Sequence, residues 1–278
     1  MHTPVLLKKT LETLAVHEGG MYIDATLGEG GHTRAMLAMG ARVLAIDRDD
    51  AQVESQKSKV ESQGNRVILK QGNFKDIAQI AKDASFFPVD GVLFDLGLSY
   101  GQIKDGGKGL SFKNREERLD MRLDETADRT AEMILFQYTE QDLADIFMQN
   151  AEELYSAQIA RAVVEKRIGK KRLTVGWLVQ LIEEVVGQHA RPSTTKVFQA
   201  LRIEVNDEFN NLKKGLSGAV SLLKPTGLVA VITFHSLEDR IVKQYIAHKG
   251  YTQTTKKPIF GDKTLSFERS AVLRVFHP

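Results

Sequence analysis

The stretch Tyr22–Thr33, YIDATLGEGGHT, decides how the rest of the chain is read. An apolar strand, "MYIDATL", runs into a glycine turn that opens a helix, "GHTRAMLAMG", which Gly40 stops. Glycines after a first strand let the backbone approach a ligand closely and aim free N–H groups at it from the helix start. Beyond this stretch the chain alternates. A strand "RVLAID", a polar-faced helix "DDAQVESQKSKVESQG", a strand "RVILKQGNF", a helix "FKDIAQIAKDA" and the apolar run "VDGVLFDLGLS" follow in turn, and "PVLLKKTLETLAV" precedes as an amphipathic helix. This alternation predicts an α/β fold with a mostly parallel sheet covered on both faces.

From Asp105 to Arg191 the pattern changes. A glycine-rich connection, "KDGGKGLSF", and the charged "NREERLDMRLDE" lead into helical segments at Thr130–Gln137, Gln141–Gln149, Glu153–Arg167 and Val175–Val186, with no clear strand among them. The expectation is a helical domain, 105–191, inserted into a discontinuous α/β core of 1–104 and 192–278. After it the spacing predicts one long helix from Thr194 to Leu223, a turn at Pro225-Thr-Gly227 and a buried strand "LVAVITFHS". Two further strands in the tail are expected to close the sheet as an antiparallel pair.

Composition removes several classes of function. A chain of 278 residues, 42% of them hydrophobic, can bury a full core, and no apolar run is long enough to span a bilayer. The first residues lack the basic, apolar and small-residue order of a signal peptide, so a cytoplasmic protein with no membrane partner is expected. There are no cysteines, and the seven histidines show no ligand spacing, so neither disulfides nor a metal site are expected. The net charge of +2 neither demands nor forbids a polyanionic partner. The densest basic cluster is "KRIGKKR", with Lys166, Arg167, Lys170, Lys171 and Arg172, readable as a helix end favoured by the helix dipole or as a phosphate-contacting patch.

The glycine turn departs from a pyrophosphate site. A dinucleotide fingerprint has glycine where Thr33 stands, and Glu29 inside the turn would repel pyrophosphate. Asp24 and Glu29 suit a ligand carrying positive charge, such as S-adenosylmethionine with its sulfonium and ammonium groups. Asp47 ends the second strand, where a carboxylate can accept from both ribose hydroxyls of an adenosine-containing ligand. Phe74 follows the third strand, as an adenine cover or a core residue. Asp95 ends the fourth strand, facing a ligand crevice or capping a helix. In "FHSLEDR", Ser236 and Asp239 fit a capping box, with a substrate contact through His235 as the competing reading.

Six ordered blocks then carry a resemblance: "HTPVLL" at 2–7, "DATLGEGGHT" at 24–33, "FDLGLSYGQ" at 94–102, "RLDMRLD" at 118–124, "FQALRIEVNDE" at 198–208 and "FHSLEDRIVK" at 234–243. Together they resemble the bacterial 16S ribosomal RNA cytosine-N4 methyltransferases, the RsmH/MraW family. The resemblance implies a class I, Rossmann-like methyltransferase core with a helical insertion that recognises RNA. It also implies S-adenosylmethionine as cofactor and N4-methylation of a cytidine in the decoding region of 16S rRNA. By motif, cofactor contacts fall on Gly30, Gly31, His32, Asp47, Phe74, Asp95 and Gln102; of these, His32 and Gln102 rest on the resemblance alone. Departures are Tyr100 after Ser99, "KGLSF" at 108–112, and Lys196 in "HARPSTTKV", all in regions expected to touch RNA rather than cofactor.

For such a reaction the exocyclic amine needs alignment with the methyl group and an acceptor for its proton, and Asp95 is the candidate catalytic group. The cytosine must be unpaired or splayed out, so Tyr100, Phe112 and Phe198 are candidates for an aromatic rim, with a place in the core as the favoured reading of each, and the Lys166–Arg172 cluster is the candidate for holding the RNA backbone. The expected partner is 16S rRNA or the small ribosomal subunit; the oligomeric state is open, a homodimer included. The rivals are a nicotinamide-dependent oxidoreductase, and a non-catalytic protein that binds both cofactor and RNA.

Overall fold

The structure, a computed structural model, describes residues 4–98, 101 and 107–278. It divides into two compact units, Met1–Ser99 with Phe209–Pro278, and Tyr100–Glu208.

The first unit is an α/β sheet. Strands β1 (Met21–Asp24), β2 (Arg42–Asp47), β3 (Val67–Gln71), β4 (Val89–Asp95) and β5 (Leu223–Thr233) are parallel, in the order β3-β2-β1-β4-β5. Strands β6 (Thr252–Gln253), β7 (Ile259–Phe260) and β8 (Val272–His277) complete it: β8 runs antiparallel to β5, and β6 and β7 both pair with β8. The tail thus adds three strands where two were expected. Successive buried residues of each central strand enter opposite apolar clusters. Tyr22, Val43 and Leu93 pack on one face, and Ile23, Leu44 and Phe94 on the other. A sheet covered on both faces needs such continuous apolar runs. Helices α1 (Leu7–Thr13), α2 (Gly31–Ala38), α3 (Asp50–Val60) and α4 (Ile77–Asp83) belong to this unit.

The second unit is helical, with α5 (Ala131–Gln137), α6 (Glu140–Ala151), α7 (Ser156–Lys166), α8 (Val175–Val186) and α9 (Ala190–Asn206) around one apolar core that includes Leu135, Phe147, Ile159, Ile182 and Leu201. Thr130, Thr139 and Thr174 cap three of these helices, and Thr139 with Asp142 forms a capping box. Because α9 packs into this core, the units divide after Glu208, whereas the sequence boundary was drawn at 191/192.

Two expectations about the return to the sheet are corrected. The single helix from Thr194 to Leu223 is broken at Asp207, which takes the left-handed conformation (φ 48°) and separates α9 from α10 (Glu208–Val220). Pro225-Thr-Gly227 is not a turn before a strand but an excursion inside one. Val89 pairs Leu223 and Gly91 pairs Leu228, so residues 224–227 bulge from β5. The last helix, α11 (Ser236–Lys249), follows β5.

Candidate active site

Asp24 and Asp95 are the last residues of β1 and β4, the neighbours between which the strand order reverses. In an open parallel sheet a ligand crevice lies outside the carboxyl ends of the strands at such a point. The Thr26 hydroxyl joins the two strand ends by accepting the Asp95 N–H at 2.7 Å.

The glycine turn is held from several directions. Gly28 and Gly30 have φ of 47° and 71°, conformations that side chains disfavour. A Cβ on Gly31 would run into the Pro4 ring, and one on Gly30 would lie 2.8 Å from Gln56 Oε1. From α2, Arg34 donates to the Glu29 carbonyl at 2.7 Å and to Gln56 at 2.9 Å. Asp24 is buried: it accepts the Thr33 hydroxyl at 2.7 Å and the Thr26 N–H at 3.2 Å. The expected ligand-facing charge at Asp24 is thus turned inward to anchor the loop. Thr33 and Thr26 escaped the sequence reading because a threonine one turn into a helix, or just past a strand, carries no motif of its own.

Asp47 also ties the turn. Its two oxygens accept the Gly28 N–H at 2.8 Å and the Asp49 N–H at 3.0 Å, and burial pushes its carboxyl up to about 6. Each oxygen keeps a second lone pair for a hydroxyl donor. Phe74 packs edge-on against Phe94, with ring centroids 5.6 Å apart, and crowds Gly215 of α10. Half-buried, it packs against the apolar cluster that holds Phe94.

His32 is buried, and its Nε2 lies 3.1 Å from the Val5 carbonyl. A carbonyl only accepts, so Nε2 carries the hydrogen and Nδ1 is bare in the neutral ring. Burial pulls this imidazole down to about 4, keeping it neutral near pH 7. The bare Nδ1 faces Asp95 Oδ2 at 3.5 Å. The other oxygen, Oδ1, is buried with no hydrogen-bond partner among the described residues. Burial, then the charges of Asp24 and Glu238, hold Asp95 well above the usual carboxylate range. A strand end that presents an orphaned, proton-hungry carboxyl to a crevice is built to meet a donor or a cation.

The chain matches the MraW methylase family model over residues 1–265. It belongs to the MraW methylase family. It is 45% identical to the ribosomal RNA small subunit methyltransferase H of Thermomicrobium roseum, over 88% of this chain and 76% of that protein. The methyltransferase H of Desulfotalea psychrophila is 39% identical over 99% of this chain and 97% of its own. Among solved structures, NSun6 from Pyrococcus horikoshii with SFG superposes with a TM-score of 0.51 at 10% identity, over 99% of this chain and 52% of that one, a likeness of fold.

In this MraW family chain the "FHSLEDR" block reads differently from expectation. The capping box is shifted by one residue: His235 is the N-cap of α11 and Glu238 its partner, with the Glu238 carboxylate accepting the Phe234 N–H at 2.8 Å. Asp239 instead holds Arg274 of β8 through two hydrogen bonds of 2.6 and 2.9 Å. Glu238, whose charge acts on Asp95, was not among the site residues suggested by the sequence. Among the described residues no cluster of three potential ligands could hold a metal ion, and no helix is long and apolar enough to cross a membrane. Gln102, with Ser99 and Tyr100, lies outside the described residues. Phe112 and Phe198 meet edge-on at 5.8 Å in the helical core and form no exposed rim. The basic cluster divides as well. Lys166 pairs with Glu184, and Arg167 donates to the Leu135 and Tyr138 carbonyls at the end of α5, leaving Lys170, Lys171 and Arg172 as its exposed cations beyond α7.

Proposed function

We propose that this protein methylates the exocyclic N4 of a cytidine in the decoding region of 16S ribosomal RNA. The coarser statement follows from family membership: it is an S-adenosylmethionine-dependent methyltransferase of small-subunit ribosomal RNA. The observation that carries the finer reading is the Asp95 carboxyl, set at the strand-order reversal with its Oδ1 buried and lacking a partner among the described residues.

The residues present fit the cofactor. The Gly28–Gly31 turn offers backbone at close range, Asp47 has free lone pairs for ribose hydroxyls, the half-buried Phe74 follows β3 and packs on Phe94 of β4, and the orphaned Asp95 oxygen calls for a donor. His32 would serve through the loop and through its contact with Asp95. When bound, S-adenosylmethionine supplies an electrophilic methyl carbon on a positively charged sulfur.

The protein's own task is alignment and proton handling. Cytosine N4 is weakly nucleophilic because its lone pair is delocalised into the ring, so it gains from an acceptor that draws on one N–H as the N–C bond forms and the C–S bond breaks. Asp95 is that acceptor. In the free protein its raised proton affinity favours the protonated form, whose O–H can point at the bare His32 Nδ1. A positive charge beside it lowers that affinity and readies the carboxylate. Asp24 and Glu238 raise its basicity without touching the base. In the helical unit, Lys170, Lys171 and Arg172 hold the RNA backbone.

The test is transfer of labelled methyl to small ribosomal subunits from a strain lacking the activity, followed by mass mapping of the modified nucleoside. N4-methylcytidine in the decoding region is the expected product. Label at another base or atom sinks the N4 reading, and no transfer despite cofactor binding leaves a non-catalytic protein.

A further inference from the structure

Across the sheet, Asp95 pairs Ile232, Ile232 pairs Leu273 and Leu273 pairs Ile259. Three strand spacings of about 4.8 Å put β7 on the order of 14 Å from Asp95, at the same carboxyl edge of the sheet. The chain turns there into the loop 261–271, which is built rather than loose. Gly261 N–H bonds the Ala271 carbonyl at 2.9 Å, and a Cβ on Gly261 would strike the Glu268 carbonyl. The buried Glu268 carboxylate accepts the Asp262 N–H at 3.2 Å and, from the start of the chain, the Leu6 N–H at 2.9 Å. Leu6 follows Val5, whose carbonyl orients His32, so the loop is joined to the crevice by direct contacts.

This firm segment carries side chains that a self-contained fold does not need. Phe260, the last residue of β7, is 63% exposed. Lys256, Lys257, Lys263 and Arg269 around it are all exposed. Of the two nearby acids, Glu268 is buried against backbone N–H groups and Asp262 is turned onto Thr264. An open aromatic ring among cations, with the local acids engaged, matches the two demands of single-stranded nucleic acid: a stacking platform and phosphate contacts.

Resting on the ribosomal RNA substrate proposed above, we infer that Phe260 stacks on a nucleotide flanking the target cytidine while Lys256, Lys257 and Lys263 hold the adjoining phosphates. At its distance from Asp95 this ring meets a neighbour of the target, not the base being methylated. The surface therefore sets how the strand is threaded into the crevice.

The experiment uses the full chain and a labelled 16S rRNA segment spanning the decoding region. Phe260→Ala should weaken RNA binding and raise KM for RNA about tenfold, with kcat at saturating RNA and affinity for S-adenosylmethionine unchanged; Phe260→Tyr should restore both. Replacing Lys256, Lys257 and Lys263 together by Gln should make the salt dependence of log K shallower by about 2. If the wild type methylates RNA and neither change alters affinity or salt slope, the surface is overturned and the enzymatic reading stands. A wild type that transfers no methyl yet loses RNA on these changes supports the surface and ends the enzymatic reading. A wild type that does not bind RNA overturns both. Self-association that Phe260→Ala abolishes at unchanged RNA affinity overturns the proposal in favour of a second copy of the chain.

Discussion

The two units treat their polar groups in opposite ways. In the helical unit, charged and hydroxyl side chains finish the structure: Thr139 and Asp142 cap α6, Arg167 caps the end of α5, and Lys166 pairs with Glu184. In the α/β unit, the polar groups at the strand ends leave something undone. Among the described residues Asp95 has an oxygen without a partner, the Asp47 carboxyl is pushed up to about 6, and His32 is buried as a neutral ring. Satisfied polar groups mark scaffold, and unsatisfied ones mark a place prepared for a ligand.

The sharpest way to break this contrast is at Asp95. Asp95→Asn should lower turnover by about two orders of magnitude or more with both substrates saturating, while leaving melting temperature unchanged or raised, since an amide needs no buried charge. The acid limb of the wild-type profile of kcat/KM for S-adenosylmethionine, which reports the free protein, should sit above the ordinary carboxylate range, because burial raises the proton affinity of Asp95. Near-normal turnover in Asp95→Asn would reduce the orphaned oxygen to a structural accident.

Asp47 gives the next largest effect. Asp47→Ala should weaken S-adenosylmethionine binding by roughly tenfold or more, from the loss of hydrogen bonds to a charged acceptor, as read by calorimetry. Its folded-state pKa of about 6 lies above the ordinary 3.8, so the folded protein holds the extra proton between those values. Its contribution to the free protein's stability is therefore present below about 4 and is lost as pH rises through about 6. Wild type and Asp47→Asn, unfolded by denaturant across that window, should differ in this slope, and parallel curves would remove the assignment.

Smaller effects should come from the helical unit. Thr139→Ala should lower stability by about 1 kcal/mol, with cofactor affinity untouched. Replacing Lys170, Lys171 and Arg172 by Gln should change stability by less than about 0.5 kcal/mol and flatten the salt dependence of RNA binding. Lost cofactor affinity in either variant would erase the division of labour between the units.

Sequence pattern made the parallel strands plain because burial on both faces demands apolar runs, and β2 begins and ends as its residues predict. Alternation also located Asp47 and Asp95 at strand ends, whereas the strand read as "MYIDATL" stops at Asp24, three residues earlier than expected. Pattern alone was blind where one residue's backbone decides: the left-handed Asp207 divides an apolar periodicity that runs on unbroken, and the excursion at 224–227 hides inside a strand. It was blind too where partners lie far apart in the chain. Nothing near Asp24 announces that Thr33 turns its charge inward, and Ser236 looks as good a cap as His235 until Glu238 is seen on the Phe234 N–H.

The bond from Leu6 to Glu268 spans 262 positions in the chain. During synthesis the segment that presents the Val5 carbonyl to His32 is made long before Glu268, which clamps it, and before β8, the partner of β5. Contacts of such separation form late in folding. The crevice is thus finished only once Glu268 and β8 are in place, and a partly folded chain that lacks those contacts has no completed site to offer.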